Sequence, residues 1–451
     1  MPIPDIVSAN WRHSGTDLLV GGIPASSIAS RYGTPFFVYD KEVLERRYAA
    51  LRQALPQRVS ISYSVKANPN PTIVSFFLGK KSGLEIASLG ELLTALRAGC
   101  SPERIVFAGP GKTDRELEAA IREGIGEIHV ESRREVECIS AIGQRLGVRV
   151  RIAIRVNPTE DAQGGAMQMG GKSAPFGVDE EQLDPLLARI VGDVHLELSG
   201  IHLFSGTQIL DHNLVSAQWR KGLEIARRVT RHARVPLRTV DFGGGLGIPY
   251  FRGDRPLDLS ALAKNLHAIL GAVKNEPDFA QTNFMVEPGR FLVGEAGIYI
   301  TRVTDVKCSR GKTYVILDGG MNHHLAASGN LGQVIKRNFP MAVLDRIDAP
   351  GHEIVDVVGP LCTPLDTLGR SVELPRVEVG NLIGIFQSGA YARSASPLGF
   401  LSHATPPEVW IDGVRDFLIR RRGSFDDASL ELPRLPVTSS KSRRIASEVL
   451  Q

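Results

Sequence analysis

A lysine closes a short apolar strand in residues 62–69, which read SYSVKANP. Tyr63 and Val65 face one side of the predicted strand and Lys66 the other, and Pro69 ends it because proline cannot extend a ladder. A lysine in this position can be a cationic clamp, or, with a lowered pKa, a nucleophile that forms a Schiff base. The stretch alone leaves both uses open, together with a plain solvated charge.

Three consecutive glycines follow another apolar strand in residues 241–247, which read DFGGGLG. Glycines in a row allow backbone N–H groups to close around an anion such as a phosphate. Their spacing is that of neither a dinucleotide fingerprint nor a P-loop, and a glycine run by itself is usually a simple turn. The interpretation therefore depends on where the fold places the loop.

Two further strand ends carry polar side chains. Residues 287–290 read EPGR, where Glu287 can accept a hydrogen bond from a protonated ring nitrogen and Arg290 can pair with a phosphate. A structural ion pair explains that motif equally well. Residues 199–207 read SGIHLFSGT, with His202 near the strand end and the Ser205 hydroxyl within reach of the same phosphate.

The last candidates lie far along the chain. Residues 359–366, GPLCTPLD, place the Cys362 thiol and the Asp366 carboxylate in a loop constrained by proline and glycine. A single cysteine is more often a small buried hydrophobe than a catalyst. Tyr391 follows the apolar residues 382–386 and is compatible with a core position.

The elements around these motifs alternate between strand and helix. From residue 60 to residue 287 the apolar periodicity predicts about eight strand-then-helix units, the order of a (β/α)₈ TIM barrel. Such barrels place their chemistry at the carboxyl ends of the strands and bind phosphate late in the series. Lys66, His202, the glycine loop and Glu287 all occupy strand ends, so the barrel favours the functional interpretation of each.

The pattern changes after Arg290. Strand-like runs at 297–307, 312–317, 372–374, 381–386 and 408–411, with few helices between them, predict an antiparallel β domain. We therefore expect an α/β chain with a barrel at 40–290 and a C-terminal β domain at 291–430. The N-terminal segment 1–39 is predicted to pack with the β domain, and the polar residues 431–451 to form a loose tail.

Composition excludes several classes of function. The chain has 451 residues and a net charge of only +4, so no nucleic-acid or membrane partner is expected. Residues 1–13 include Asp5, Arg12 and His13 and have no apolar core of signal-peptide type, so no signal peptide is expected, and no apolar run is long enough to span a bilayer. The four cysteines lack paired spacing, which predicts no metal site and reduced thiols in the cytoplasm.

Together these stretches, from about Pro35 to Gly413, resemble the pyridoxal-phosphate decarboxylases of the alanine-racemase-like fold, which include the ornithine and diaminopimelate decarboxylases. The resemblance implies pyridoxal 5′-phosphate as cofactor and Lys66 as the Schiff-base lysine. It implies that His202 stacks on the pyridine ring, Glu287 contacts its nitrogen, and Arg155 lies near the ring hydroxyl. It further implies phosphate contacts from Ser205, Gly243, Gly244, Gly245, Arg290 and Tyr391, with Gly289 as a further cofactor-binding residue.

The same resemblance implies a homodimer with shared active sites. Cys362 would cross to the other subunit and return a proton to the α-carbon after carbon dioxide leaves. A lowered pKa of Lys66, once its amine is free, would help release the product. An amino-acid racemase and a non-catalytic cofactor-binding protein share this barrel, but the Cys362 loop and the second domain favour a decarboxylase.

One residue departs from the family pattern. Thr363 follows the cysteine where an acidic residue usually holds the distal ammonium of a diamino acid. The loop and residues 318–324, DGGMNHH, resemble a subgroup that acts on aminoacyl groups tethered to carrier proteins. We therefore expect removal of the α-carboxylate of an amino acid or a carrier-bound aminoacyl group, with Thr363, Asp366 and His323 near the substrate. A free diamino acid (diaminopimelate, ornithine or lysine) is the alternative, with Asp366 as the partner of its ammonium.

Overall fold

A computed structural model describes residues 4–159, 167–168 (backbone), 173–204, 206–331, 333, 335–350, 352–424 and 427. The predicted tail at 431–451 and the predicted phosphate contact Ser205 lie outside this part of the chain. The described residues form a parallel barrel and a second, sheet-rich domain, which confirms the predicted fold class.

Eight parallel strands form the barrel in the order in which they occur along the chain. The last strand pairs with the first, with Val286 opposite Ile61, and this pairing closes the barrel. The strands are Val59–Ser64, Gly83–Ile86, Ile105–Phe107, Glu127–Val130, Val150–Asn157, Leu196–Leu203, Thr239–Asp241 and Asn283–Val286. Because all eight run in one direction, their carboxyl ends meet at a single rim.

Helices outside the barrel return the chain to the start of each strand. Local signals fix their ends: Thr113 and Glu116 form a capping box at the start of one helix, and Gly124 ends it in a left-handed conformation. The helices are Lys41–Ala54, Pro71–Gly79, Leu89–Arg97, Asp114–Glu123, Arg133–Leu146, Leu183–Val191, His212–Ala233 and Leu259–Ala272. None of the helices in the described ranges has the length and apolar character needed to cross a bilayer.

The second domain is built on a mostly antiparallel sheet with two parallel pairings. Its strands are Gly297–Ser309, Lys312–Leu317, Met341–Val343, Glu353–Val358, Thr367–Leu374, Leu382–Ile385, Glu408–Asp412 and Arg415–Arg420. Strand Phe36–Asp40, which precedes the barrel, lies within this sheet between Gly297–Ser309 and Glu408–Asp412. The sheet therefore contains strands from both ends of the chain.

Candidate active site

Lys66 lies at the carboxyl rim of the barrel, in a single turn, Val65–Ala67, that follows the first strand. The strand ends at Ser64, two residues earlier than its sequence pattern predicts. The Lys66 ammonium Nζ donates to both carboxylate oxygens of Glu85, at 2.8 and 3.0 Å. Glu85 is fully buried on the adjacent strand and also accepts a hydrogen bond from the Ser64 hydroxyl. The lysine is therefore held by a carboxylate that the sequence analysis did not identify.

This pairing changes the expected ionisation of the lysine. Burial by itself lowers the pKa of Lys66, but Glu85, Tyr391 and Glu287 outweigh it, and the net effect is a raised pKa. The lowered pKa expected from the sequence is therefore wrong for the chain as described. The reason is the buried carboxylate on the neighbouring strand, because an anion in contact with an ammonium stabilises its charged form.

His202 and Glu287 meet at the centre of the rim. His202 is the penultimate residue of strand Leu196–Leu203, and Glu287 comes directly after the last barrel strand. Both side chains are buried, and His202 Nε2 lies 3.2 Å from Glu287 Oε2. Burial raises the pKa of Glu287, but His202, His129 and Lys66 outweigh that effect and hold it well below its usual range. The net effect favours the charged form of Glu287, whereas burial lowers the pKa of His202 to about 4, so its ring is neutral at neutral pH.

Two further titratable side chains, which the sequence analysis assigned no role, complete this cluster. His129 is fully buried on strand Glu127–Val130, with its ring 4.5 Å from that of His202. Its Nε2 is 3.0 Å from Glu127, and its Nδ1 is 3.9 Å from Glu287. Asp241 ends the seventh barrel strand. One carboxylate oxygen or ring nitrogen from each of Asp241, Glu287, His129 and His202 lies within 4.8 Å of the other three.

The glycine loop packs tightly between neighbouring strand ends. A Cβ added at Gly243 would lie 2.2 Å from the carbonyl oxygen of Leu203, and one at Gly244 would lie 2.4 Å from that of Glu287. Gly243 and Gly245 also have positive φ, at 68° and 92°. Larger residues would displace this backbone, so the three glycines hold the loop against the rim.

Arg290 connects the glycine loop side of the rim to the second domain. Its guanidinium donates to the hydroxyl of Tyr250, at 3.0 Å, and lies 4.8 Å from the ring of Tyr391. Gly289 precedes it, and a Cβ there would come within 2.8 Å of Ala67, the residue after Lys66. Arg290, Tyr391 and Gly289 therefore lie around the Lys66 turn, and their contacts with the cofactor stay predictions.

Arg155 occupies the opposite side of the same rim. Its guanidinium is buried and pairs with Glu131 at 2.7 Å. The ring of Phe204 lies near two cationic side chains, 5.8 Å from the Arg155 guanidinium and 5.9 Å from Lys66 Nζ. Phe204 was not predicted; it lies two residues after His202 and one residue beyond the end of that strand, and this position was its only signal.

The structure does not join the Cys362 loop, residues 359–366, to the barrel. Cys362 is an exposed free thiol in the second domain. Among residues with described positions, the polar contacts of this loop are internal or to residues 321, 330 and 367, and none reaches a barrel strand. The chain thus brings together the predicted cofactor residues that the structure describes, but it does not bring Cys362 or Thr363 to them.

Asp366 and His323 are buried beneath this loop. The two carboxylate oxygens of Asp366 accept hydrogen bonds from the backbone N–H groups of Met321, at 2.6 Å, and Leu361, at 2.9 Å. His323 is 2 % exposed, and its Nδ1 lies 3.0 Å from the hydroxyl of Tyr299. Neither side chain offers its polar atoms to solvent in the described part of the chain. Asp366 fixes the loop through its two backbone partners, and the substrate contacts expected for Asp366 and His323 stay predictions.

The barrel rim suits pyridoxal phosphate. Glu287 Oε1 and Arg290 Nε are buried without a hydrogen-bond partner in the described part of the chain. A carboxylate oxygen there can accept a hydrogen bond from a protonated ring nitrogen, and a guanidinium N–H can donate a hydrogen bond to a phosphate. Lys66 supplies an amine between these two ends. Together the carboxylate, the amine and the guanidinium match the ring nitrogen, the aldehyde and the phosphate of the cofactor.

Comparisons with known proteins agree with this geometry. Residues 41–294 match the family model described as the pyridoxal-binding domain of the pyridoxal-dependent decarboxylases. The chain is 36% identical over 405 residues to the L-glutamyl-[BtrI acyl-carrier protein] decarboxylase of Niallia circulans, covering 89% of this chain and 94% of that protein. It is 34% identical over 414 residues to the diaminopimelate decarboxylase of Aquifex aeolicus, covering 91% and 94% of the two chains.

A solved structure shows the same likeness. The diaminopimelate decarboxylase of Helicobacter pylori, crystallised with L-lysine, superposes with a TM-score of 0.80 at 32% identity. The match covers 89% of this chain and 98% of the other. The resemblance therefore extends through both domains.

Proposed function

The chain belongs to the family of pyridoxal-dependent decarboxylases, and we propose that within it the enzyme decarboxylates an aminoacyl group tethered to a carrier protein. Its reaction class is that of a carboxy-lyase with pyridoxal phosphate as cofactor. This membership favours decarboxylation over racemisation and over a purely cofactor-binding role. What remains to be assigned is the substrate.

The Cys362 loop carries this proposal. Its only carboxylate, Asp366, is 3% exposed and bonded to two backbone N–H groups, and the residue after the cysteine is Thr363. The loop therefore presents no carboxylate to the distal ammonium of a free diamino acid. Removing one partner of a buried ion pair typically costs about 3–5 kcal/mol, or roughly two to four powers of ten in specificity. A glutamyl group on a carrier lacks that ammonium.

The similarity to the glutamyl carrier-protein decarboxylase supports the same substrate class. A free diamino acid is the second candidate, supported by the similarity to the two diaminopimelate decarboxylases. The two candidates differ in one testable respect. The first substrate arrives on a phosphopantetheine arm, and the second carries a positive charge that the enzyme must pair.

The rim residues have separate roles in this proposal. Bound pyridoxal phosphate supplies the electron sink for the electrons left when the α-carboxylate departs. Lys66 holds the cofactor covalently, Glu287 holds the proton on its ring nitrogen, and His202 packs against its ring. The glycine loop, Arg290 and Tyr391 bind the phosphate. Cys362 returns a proton from its thiol to the substrate α-carbon.

We propose that Cys362 acts in the site of a second subunit. Support comes from its exposure on the second domain and from the exposed apolar side chains of the same surface. Leu331, Ile335 and Leu365 are 39%, 79% and 49% exposed, and Asn330 bonds to the carbonyl oxygen of Leu365. Large apolar side chains grouped near a functional loop mark an interaction surface. A homodimer would cover them and complete the site.

Carbon dioxide release tests the substrate assignment. Purified enzyme loaded with pyridoxal phosphate would be given L-glutamyl carrier protein, free glutamate, diaminopimelate, ornithine and lysine. We expect the highest kcat/KM with the carrier-bound group. A comparable value for any free diamino acid would overturn the assignment while leaving the reaction class intact.

Subunit mixing tests the shared site. Lys66→Ala and Cys362→Ala proteins, each inactive alone, should recover up to about a quarter of wild-type sites on mixing, because only heterodimers contain one intact site. Co-purification of untagged with affinity-tagged subunits after mixing shows whether exchange has taken place. Demonstrated exchange without recovery would place both residues in one subunit's site.

A further inference from the structure

Asp241 is a buried carboxylate that the roles assigned above do not use. It is 0% exposed, and its Oδ1 accepts a hydrogen bond from the backbone N–H of Gly243 at 2.8 Å. Its Oδ2 is buried and has no hydrogen-bond partner in the described part of the chain. One oxygen of this side chain is thus committed to the glycine loop, and a carboxylate oxygen of Asp241 lies within 4.8 Å of side-chain atoms of Glu287, His129 and His202.

Gly243 is in turn bonded to Glu287. The backbone N–H of Glu287 donates to the carbonyl oxygen of Gly243 at 2.8 Å, and the side-chain oxygens of Glu287 and Asp241 lie within 4.8 Å of each other. Asp241, Gly243 and Glu287 therefore form a closed ring of contacts. This ring joins the phosphate side of the proposed cofactor site to the residue proposed for the ring nitrogen.

Two carboxylates so close together and so deeply buried cannot both be ionised at neutral pH. The charged or titratable groups near them are His129, His202, Glu127 and Lys66. His202 and His129 stabilise the charge of Glu287, whereas burial and the Glu287 charge raise the pKa of Asp241 well above its usual value. The proton shared by the pair therefore belongs on Asp241, and the only free atom for it is Oδ2.

We propose that Asp241 is a protonated positioning residue, whose Oδ2–H donates to the Glu287 carboxylate while its Oδ1 holds the glycine loop. Asp241 keeps Glu287 oriented and negatively charged, and it couples the ring end of the cofactor site to the phosphate end. The inference rests on the proposed assignment of Glu287, and it concerns the protonation of a side chain that does not contact substrate.

The test compares wild type with Asp241→Asn and Asp241→Ala, all as full-length protein. An asparagine can donate to Glu287 through its amide nitrogen and accept from Gly243 through its oxygen, so it mimics a protonated aspartate. We expect Asp241→Asn to bind pyridoxal phosphate within about threefold of wild type. Asp241→Ala should bind it about ten- to a hundredfold more weakly, since a hydrogen bond to a charged group is lost.

Infrared spectroscopy of the apoprotein supplies the second readout. Because Glu91 is also partly protonated near pH 7, the readout is the difference spectrum of wild type minus Asp241→Asn, which should show the C=O stretch of one buried carboxylic acid. This comparison is independent of activity and of whether Asp241→Ala folds, and near-UV circular dichroism would check that folding. Failure of Asp241→Asn to bind the cofactor, or absence of the acid band from the difference spectrum, would overturn the proposal. Neither outcome depends on which substrate the enzyme uses.

Discussion

The backbone N–H of Tyr391 donates a hydrogen bond of 2.9 Å to the carbonyl oxygen of Ala67, the residue after Lys66. The neighbouring Asn68 side chain donates to the carbonyl oxygen of Gly389 at 3.0 Å. The turn that carries the proposed cofactor lysine is therefore fixed to the second domain at two points. This arrangement couples the barrel rim to the domain that carries the Cys362 loop.

Asn68→Ala should weaken that connection. The change leaves the buried carbonyl of Gly389 without its donor, which costs about 1–3 kcal/mol. We expect faster loss of pyridoxal phosphate on dialysis, measured by absorbance, together with lower thermal stability. Asn265→Ala is the matched control, because Asn265 bonds to Ser216 between two outer helices. An equal effect of both variants on cofactor loss would contradict a specific role for Asn68.

Lys66 should be the residue that binds pyridoxal phosphate covalently. Borohydride reduction of the loaded enzyme, followed by peptide mass spectrometry, should place the label on Lys66. Lys66→Arg keeps a cation beside Glu85 but offers no reactive amine, so it should take up no label. Label on another lysine of the wild-type enzyme would show that the rim has been assigned incorrectly.

Gly244→Ala should disturb the phosphate side of the site. The new Cβ would lie 2.4 Å from the carbonyl oxygen of Glu287, and overpacking of this kind costs about 1–3 kcal/mol. We expect weaker pyridoxal phosphate binding by titration. In Gly271→Ala the added methyl has no neighbour within 4 Å, and that helix should gain stability. Unchanged cofactor affinity in Gly244→Ala would show that the loop does not contact the phosphate.

Glu91 should make stability depend on pH. Burial, then the charge of Glu85, raises its pKa from 4.5 to about 7. The unfolded chain therefore loses this proton before the folded chain does, and stability falls as pH rises from about 4.5 to 7. Glu91→Gln cannot ionise, so it should be more stable than wild type at pH 8 by about 1–2 kcal/mol, with no difference near pH 4. Urea unfolding at both pH values measures this, and a constant difference would contradict the assignment.

The barrel and much of its rim could be predicted because their signals are local. Lys66, His202 and Glu287 stand at or near the ends of apolar strands, and in a barrel those ends converge. Glu85 and His129 were missed because a single polar residue in a strand does not reveal which neighbour it meets. The Asp366 side chain is buried because its carboxylate accepts hydrogen bonds from the backbone N–H groups of residues 321 and 361, and no sequence motif encodes those hydrogen bonds. The ionisation of Lys66 was misjudged for the same reason.

The most direct test of the substrate proposal is the ratio of kcat/KM for L-glutamyl carrier protein to kcat/KM for diaminopimelate, measured in wild type and in Thr363→Asp. The account predicts a ratio well above one for wild type. It predicts a fall of at least about tenfold in Thr363→Asp, because the new carboxylate can pair with a distal ammonium. A wild-type ratio below one, unchanged in Thr363→Asp, would mean that the ammonium is bound elsewhere and that the enzyme acts on the free diamino acid.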